Sequence, residues 1–260
     1  MLFYEIFGSL SITYPTPLVF LHGFLGSHLD WIPLIEKLQD RYMCIAIDLP
    51  AHGKSSYAED VFSSVEKTLL SLATIPILIG YSLGGRIAFD YGKKHPEKIK
   101  SLIALSSHTG LKTAEEKEKR KISDLLWQAR LENLSPQEFL TLWYKQPIFS
   151  SLQEKPELLH KLLEMRAYKN PKELSQVFNQ VSLANQPLYE NFKHPTYFLF
   201  GEKDTSYVKL YNTHPLEIKK EIKKAGHAVH LENPLECLEA VDYFISKKSL
   251  IPFTCIRTVL

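Results

Sequence analysis

The stretch IPILIGYSLGG, Ile75 to Gly85, decides the fold. Its opening residues are apolar and show no alternation, which is how a strand buried on both faces reads. Gly80-Tyr81-Ser82-Leu83-Gly84 follows at once, satisfies G-x-S-x-G, and leads into a helix-length segment over Leu83–Lys94. A serine in so sharp a strand-to-helix turn must hold a strained backbone. Its oxygen then projects from the carboxyl end of a sheet, at the positive N-terminus of a helix. The pentapeptide alone is compatible with a loop serine beside chance glycines. The strand before it and the helix after it argue for a nucleophile.

The same texture extends on both sides. Short apolar runs recur over residues 18–21, 43–47, 75–79 and 102–105, and most end in turn signals such as His22-Gly23 or Pro50-Ala51-His52-Gly53. Helix-length segments over 30–38, 61–72 and 83–94 lie between them. This βαβα alternation predicts an α/β fold with a mostly parallel central sheet flanked by helices on both faces.

The pattern changes after Ser106. From residue 112 to 192 there is no convincing strand, only helical patterns broken by Ser135-Pro136, Gln146-Pro147, Lys155-Pro156 and Asn170-Pro171. Each such pair reads as a helix stop followed by a helix start. Strand signal returns at 195–201 and 217–224, and an amphipathic helix near 235–246 follows. The expected organisation is an α/β core over 1–111 and 193–248, an all-helical cap insertion over 112–192, and an apolar C-terminal extension over 249–260.

Composition excludes several function classes. Lys+Arg of 31 against Asp+Glu of 29 leaves a net charge of +2, too balanced to capture nucleic acid or an acidic membrane by bulk charge. Cys44, Cys237 and Cys255 are far apart and form no C-x-x-C pair, so they make no zinc site and fit a reducing compartment. The N-terminal MLFYEIFGSL lacks a basic region and a cleavage pattern, and no apolar run approaches the roughly 20 residues of a membrane span. A cytoplasmic location is expected.

An activated serine needs a base, and the base needs an orienting carboxylate. Partners of a G-x-S-x-G serine follow in the chain order acid, then histidine. Asp204 follows the strand PTYFLFG in Gly201-Glu202-Lys203-Asp204, and His227 follows the next strand in Ala225-Gly226-His227. Ser82, Asp204 and His227 are therefore the expected triad. His230 is a rival base, read chiefly as structural, and Asp48 a rival acid, read chiefly as fixing the Leu49-Pro50-Ala51-His52-Gly53 turn. The oxyanion hole is expected from the backbone N–H groups of Phe24, after the first long strand, and Leu83, after the serine. Loss of one such donor costs on the order of a hundredfold in rate.

LVFLHGF, DLPAHGKS, GYSLGG, FGEKD and AGHAVHLENP resemble an α/β-hydrolase-fold enzyme across almost the whole chain. More narrowly, the chain is similar to the menaquinone-pathway 2-succinyl-6-hydroxy-2,4-cyclohexadiene-1-carboxylate synthase family. HGFLGS, GYSLGGR, LWYKQPIFSSL and SLANQP carry that narrower match. The segments inside the helical insertion weigh most, because caps differ widely between hydrolase families.

The resemblance implies a lyase that removes a proton and expels pyruvate, with serine as the base and no cofactor or metal. Its implied partner is a small polycarboxylate substrate rather than nucleic acid or a membrane, with the protein a monomer or weak homo-oligomer. A crowd of carboxylates calls for guanidinium, whose planar fork matches carboxylate geometry. Arg86, Arg120 and Arg166 fall on positions the family uses, as do Tyr81, Trp143 and Phe149. Ala51 departs from the glycine many relatives carry in D-L-P-x-H-G. The competing reading is a serine carboxylesterase, or an acyl thioester or methyl ester hydrolase, using the same triad. A non-enzymatic receptor on the fold is a third reading, disfavoured by the presence of all three triad residues.

Overall fold

The computed structural model describes residues 1–166, 170–213 and 218–247. The first half supplies β1 (Tyr4–Phe7), β2 (Leu18–Leu21), α1 (Ile32–Leu38), β3 (Cys44–Ile47), α2 (Val61–Ser71), β4 (Ile77–Tyr81), α3 (Leu83–Lys94) and β5 (Ser101–Leu105). Helices α4 (Ala114–Asn133), α5 (Pro136–Tyr144), α6 (Ser150–Gln153), α7 (Pro156–Met165) and α8 (Pro171–Gln180) follow. Then come β6 (Thr196–Gly201), α9 (Thr205–Thr213), β7 (Lys219–Ile222), α10 (Val229–Glu232) and α11 (Pro234–Lys247).

The strands make one sheet in the order β1-β3-β2-β4-β5-β6-β7, parallel throughout except for β1 against β3. Every residue of β2, β3, β4 and β5 is buried, because helices cover both faces. On one face Phe20, Trp31, Leu34, Val241 and Phe244 join α1 and α11 to the sheet. On the other, Val19, Val65, Ile87 and Phe89 join α2 and α3.

The chain departs from its sequence reading in several places. The edge strand β1 was not expected; it is half-exposed, so it carries no buried apolar run. β4 begins at Ile77 rather than residue 75, because Pro76 offers no N–H to the ladder and Ile75 is exposed. α9 is also additional. β7 falls inside the expected 217–224 segment, whose first residue lies outside the described residues, as does the 249–260 extension.

Between β5 and β6 the described residues form helices and no strand. Their starts follow the X-Pro pairs: Pro136, Pro156 and Pro171 each open a helix, while Pro147 opens a single 3-10 turn. Capping boxes Thr113/Glu116 and Ser135/Glu138 satisfy the first amides of α4 and α5. Leu131, Phe139, Leu140, Leu152, Leu162 and Leu174 give these helices a core of their own. Leu25 and Phe24, from the loop after β2, enter that core and seat the helices over the carboxyl ends of the strands. No helix among the described residues is long and apolar enough to cross a membrane.

Candidate active site

Ser82 joins β4 to α3 with φ 48° and ψ −106°. A non-glycine residue held there costs of order 1–3 kcal/mol, and persists because its surroundings over-determine it. Gly84 shows how: a Cβ on it would stand 2.0 Å from the Leu21 carbonyl oxygen and 2.7 Å from that of His22. The missing side chain lets α3 press on the end of β2. The Ser82 N–H donates to Leu105 O at 2.8 Å and ties the turn to β5.

Asp204 stands just past β6 and His227 in the loop after β7, each only 3% exposed. His227 Nδ1 lies 2.7 Å from Asp204 Oδ2, and its Nε2 3.2 Å from Ser82 Oγ. With Nδ1–H donating to the carboxylate, Nε2 is left to accept the Ser82 hydroxyl proton. The second Asp204 oxygen accepts the Tyr207 N–H at 3.2 Å. Three side chains distant in sequence are thus brought together as serine, imidazole and carboxylate, an arrangement that can activate a hydroxyl for attack or for proton removal.

The rivals have other work. Asp48 accepts from the N–H groups of His28 and Lys54 at 2.6 and 2.8 Å and holds the turn between them. His230 is wedged between Trp31 and Tyr81, with ring centroids 4.6 and 4.5 Å away. Burial pushes its pKa down to about 3. Leu83 is the first residue of α3, so its N–H has no acceptor within the helix. A Cβ on Gly23, beside Phe24, would stand 2.6 Å from the Tyr81 ring and 3.6 Å from the Ser82 Cβ. Both expected oxyanion donors therefore belong to segments that meet at the serine.

The arginines divide. Arg86 donates Nη1 to Val181 O at 2.7 Å and to Gln186 Oε1 at 3.2 Å, reaching from α3 into the segment after α8. Burial, and then the like charge of Arg120, push its pKa down to about 10. Arg120 is half-exposed on α4 and donates Nε to Asp124 Oδ1 at 2.7 Å. Arg166 is buried, paired with Asp30, and gives its Nε to Tyr144 OH at 3.0 Å. Two of the three cations thus already face a carboxylate of the chain.

Arg166, Tyr81, Tyr144, Phe149, Phe24 and Leu162 are among the residues lining a small cavity of about 20 Å³. Phe149 also stands edge-on to His227 at 5.7 Å. Trp143 packs among Phe24, Trp127 and Phe139 and serves the helical core. Asp30, Tyr144, Asp124, Gln186 and Tyr207 escaped the sequence reading. Each is defined by a partner on another element or another turn, and no local motif marks them. Among the described residues no cluster of three or more His, Cys, Asp or Glu is arranged to hold a metal.

The α/β hydrolase fold family model matches residues 16–234, which makes the chain an enzyme of the α/β-hydrolase superfamily. It is 34% identical over 227 residues to the 2-succinyl-6-hydroxy-2,4-cyclohexadiene-1-carboxylate synthase of Escherichia fergusonii, covering 84% of this chain and 88% of that one. To the enzyme of the same name from Yersinia pseudotuberculosis it is 32% identical over 248 residues, covering 90% and 89%. The solved structure of MenH from S. aureus superposes with a TM-score of 0.86 at 27% identity, covering 95% of this chain and 98% of that one. The chain belongs to the 2-succinyl-6-hydroxy-2,4-cyclohexadiene-1-carboxylate synthase family.

Proposed function

We propose that this enzyme is a carbon–oxygen lyase that converts 2-succinyl-5-enolpyruvyl-6-hydroxy-3-cyclohexene-1-carboxylate to 2-succinyl-6-hydroxy-2,4-cyclohexadiene-1-carboxylate and pyruvate. The two names define the bond changes. A proton leaves ring carbon 2, beside the succinyl ketone; the ring double bond moves to carbons 2 and 3; a new one forms between 4 and 5; and the bond from carbon 5 to the enolpyruvyl oxygen breaks. The leaving enol takes up a proton and becomes pyruvate.

The Ser82–His227–Asp204 relay carries the reading. His227 draws the hydroxyl proton of Ser82, so that the serine oxygen removes the ring proton, and Asp204 stabilises the imidazolium that forms. No acyl-enzyme is required. Negative charge developing on the succinyl ketone oxygen falls to the Phe24 and Leu83 amides. Arg86, with Arg120 behind it, supplies positive charge for the substrate carboxylates, while Arg166, whose charge Asp30 neutralises, borders the cavity. The cavity beside Tyr81 has room for about one or two waters, so substrate access requires the inserted helices to shift.

The test is pyruvate release from substrate generated in situ, with the uncatalysed elimination subtracted. Wild type should accelerate release and Ser82→Ala should not. Ester cleavage by wild type with no acceleration of elimination would move the assignment to a hydrolase.

A further inference from the structure

Tyr207 stands in the first turn of α9, three residues after the triad acid, and the relay makes no use of its side chain. Two contacts fix where it sits. Its N–H donates to Asp204 Oδ1 at 3.2 Å, and its ring lies against the His227 ring with centroids 4.9 Å apart. Tyr211, one turn further along α9 and wholly buried, meets it edge-to-face at 5.7 Å.

The Tyr207 hydroxyl has no hydrogen-bond partner among the described residues. Its neighbour differs: the Tyr211 hydroxyl donates to Ser107 O at 2.7 Å and accepts the Ser107 N–H at 2.9 Å. A half-buried tyrosine ordinarily finds an acceptor for its O–H. Burial, and then the charge of Asp204, raise the Tyr207 pKa, while Arg86 and Arg120 pull it down. The phenol therefore stays protonated at neutral pH, a donor within electrostatic reach of two guanidiniums.

Those guanidiniums have donors to spare. Arg86 commits Nη1 to Val181 O and Gln186 Oε1. Arg120 commits Nε to Asp124, whose other oxygen accepts the Ser182 hydroxyl at 2.6 Å. Their remaining guanidinium N–H groups hold no acceptor among the described residues. Two cations share one carboxylate of the chain, so a net positive charge stands beside the relay.

We propose that Tyr207 is a substrate-binding residue whose hydroxyl donates to the carboxylate that Arg86 and Arg120 hold, a third donor on one anion. That carboxylate is the acceptor the phenol lacks within the chain. Its charge does not change as pyruvate leaves, so the contact acts on affinity rather than on the chemical step. The identity of the anion rests on the lyase reading above; the choice of Tyr207 rests on its position and its free hydroxyl.

The experiment compares wild type, Tyr207→Phe, Arg120→Met and the double variant in two assays. The first is kcat and KM for pyruvate release. The second is the concentration of succinate, a plain dicarboxylate probe, that halves the rate at which a small uncharged fluorophosphonate labels Ser82. Tyr207→Phe removes one oxygen and keeps the ring against His227. It should raise KM about tenfold, the loss of a hydrogen bond to a charged group, with kcat within about twofold of wild type. The half-protecting succinate concentration should rise by a similar factor. The double variant should lose less than the product of the two single losses, because both donors serve one anion.

A lowered kcat with unchanged KM, and slower labelling without succinate, would make Tyr207 a support for His227 and overturn the proposal. Equal KM and equal protection in wild type and Tyr207→Phe would overturn it too, as would losses that simply multiply in the double variant. A wild type that succinate protects but that releases no pyruvate would remove the lyase reading alone, and the protection series would still decide this one. A wild type that releases no pyruvate and shows no protected labelling would remove the carboxylate site and this proposal with it.

Discussion

Arg166, the residue after α7, donates Nη1 to Asp30 Oδ1 in the loop after β2, and so ties the inserted helices to the core beside the serine. The two side chains are 4% and 0% exposed. Burial alone would lower the Arg166 pKa, but the Asp30 carboxylate outweighs it and the pKa is raised. Arg166 therefore reaches the cavity as half of a neutral pair. Asp30→Asn leaves the guanidinium buried without its countercharge and should cost about 3–5 kcal/mol of stability. Asp30→Asn with Arg166→Met should lose less than the two single changes added together. Denaturant unfolding of the three variants checks this, and simple additivity would show that the pair is not coupled.

Arg86 binds structure and charge at once, holding the Val181 carbonyl and Gln186 from α3. Arg86→Ala should lower kcat/KM for elimination by roughly two to three powers of ten, because a buried substrate carboxylate would lose its cation. Arg86→Lys should recover only part, since an ammonium lacks the planar fork. Steady-state pyruvate release decides it. An Arg86→Ala enzyme as active as wild type would remove this residue from the site.

Three buried histidines predict acid sensitivity. Burial pushes His22 and His230 down to about 3 and His52 to about 4, with His52 adding to the shift at His22. Folded, they stay neutral at pH values where the unfolded chain binds protons, below about 6.5. Stability from these groups is therefore complete above that pH and falls as pH drops toward 3–4, by up to about 1.4 kcal/mol per pH unit for each. Melting temperatures measured from pH 8 to 5 should decline below pH 6.5. His230→Phe, which keeps a ring between Trp31 and Tyr81, should decline less steeply; an equal slope would contradict the assignment.

Ala51 holds φ at 60°, a left-handed conformation that glycine adopts without strain. Ala51→Gly removes a left-handed strain of about 1–2 kcal/mol and gives back part of it as unfolded-chain entropy. The net should be a gain of about 0.5–1 kcal/mol, read as a higher melting temperature with kcat unchanged. A lower melting temperature would show that the Ala51 methyl contributes contacts worth more than the strain.

Much of this protein is written locally. The unalternating runs that became β2, β3, β4 and β5 declared a sheet buried on both faces, and Gly80-Tyr81-Ser82-Leu83-Gly84 declared the strained turn. That Ser82, Asp204 and His227 would meet was legible because the order of such partners follows from where the strands end. The X-Pro pairs marked the helix starts of the insertion because proline restricts the residue before it. Edge strand β1 was hidden because half-exposed strands carry no apolar run, and α9 had no distinctive pattern.

What the tertiary structure alone decided is which charges meet. Asp30 with Arg166 and Lys155 with Glu232 look like ordinary solvated charges along the chain. Nothing in their sequence neighbours distinguishes a cation waiting for substrate from one already satisfied. That distinction depends on burial, which makes an unpaired charge costly and so forces a partner, and on folding, which brings residues from the insertion and the core within hydrogen-bond distance.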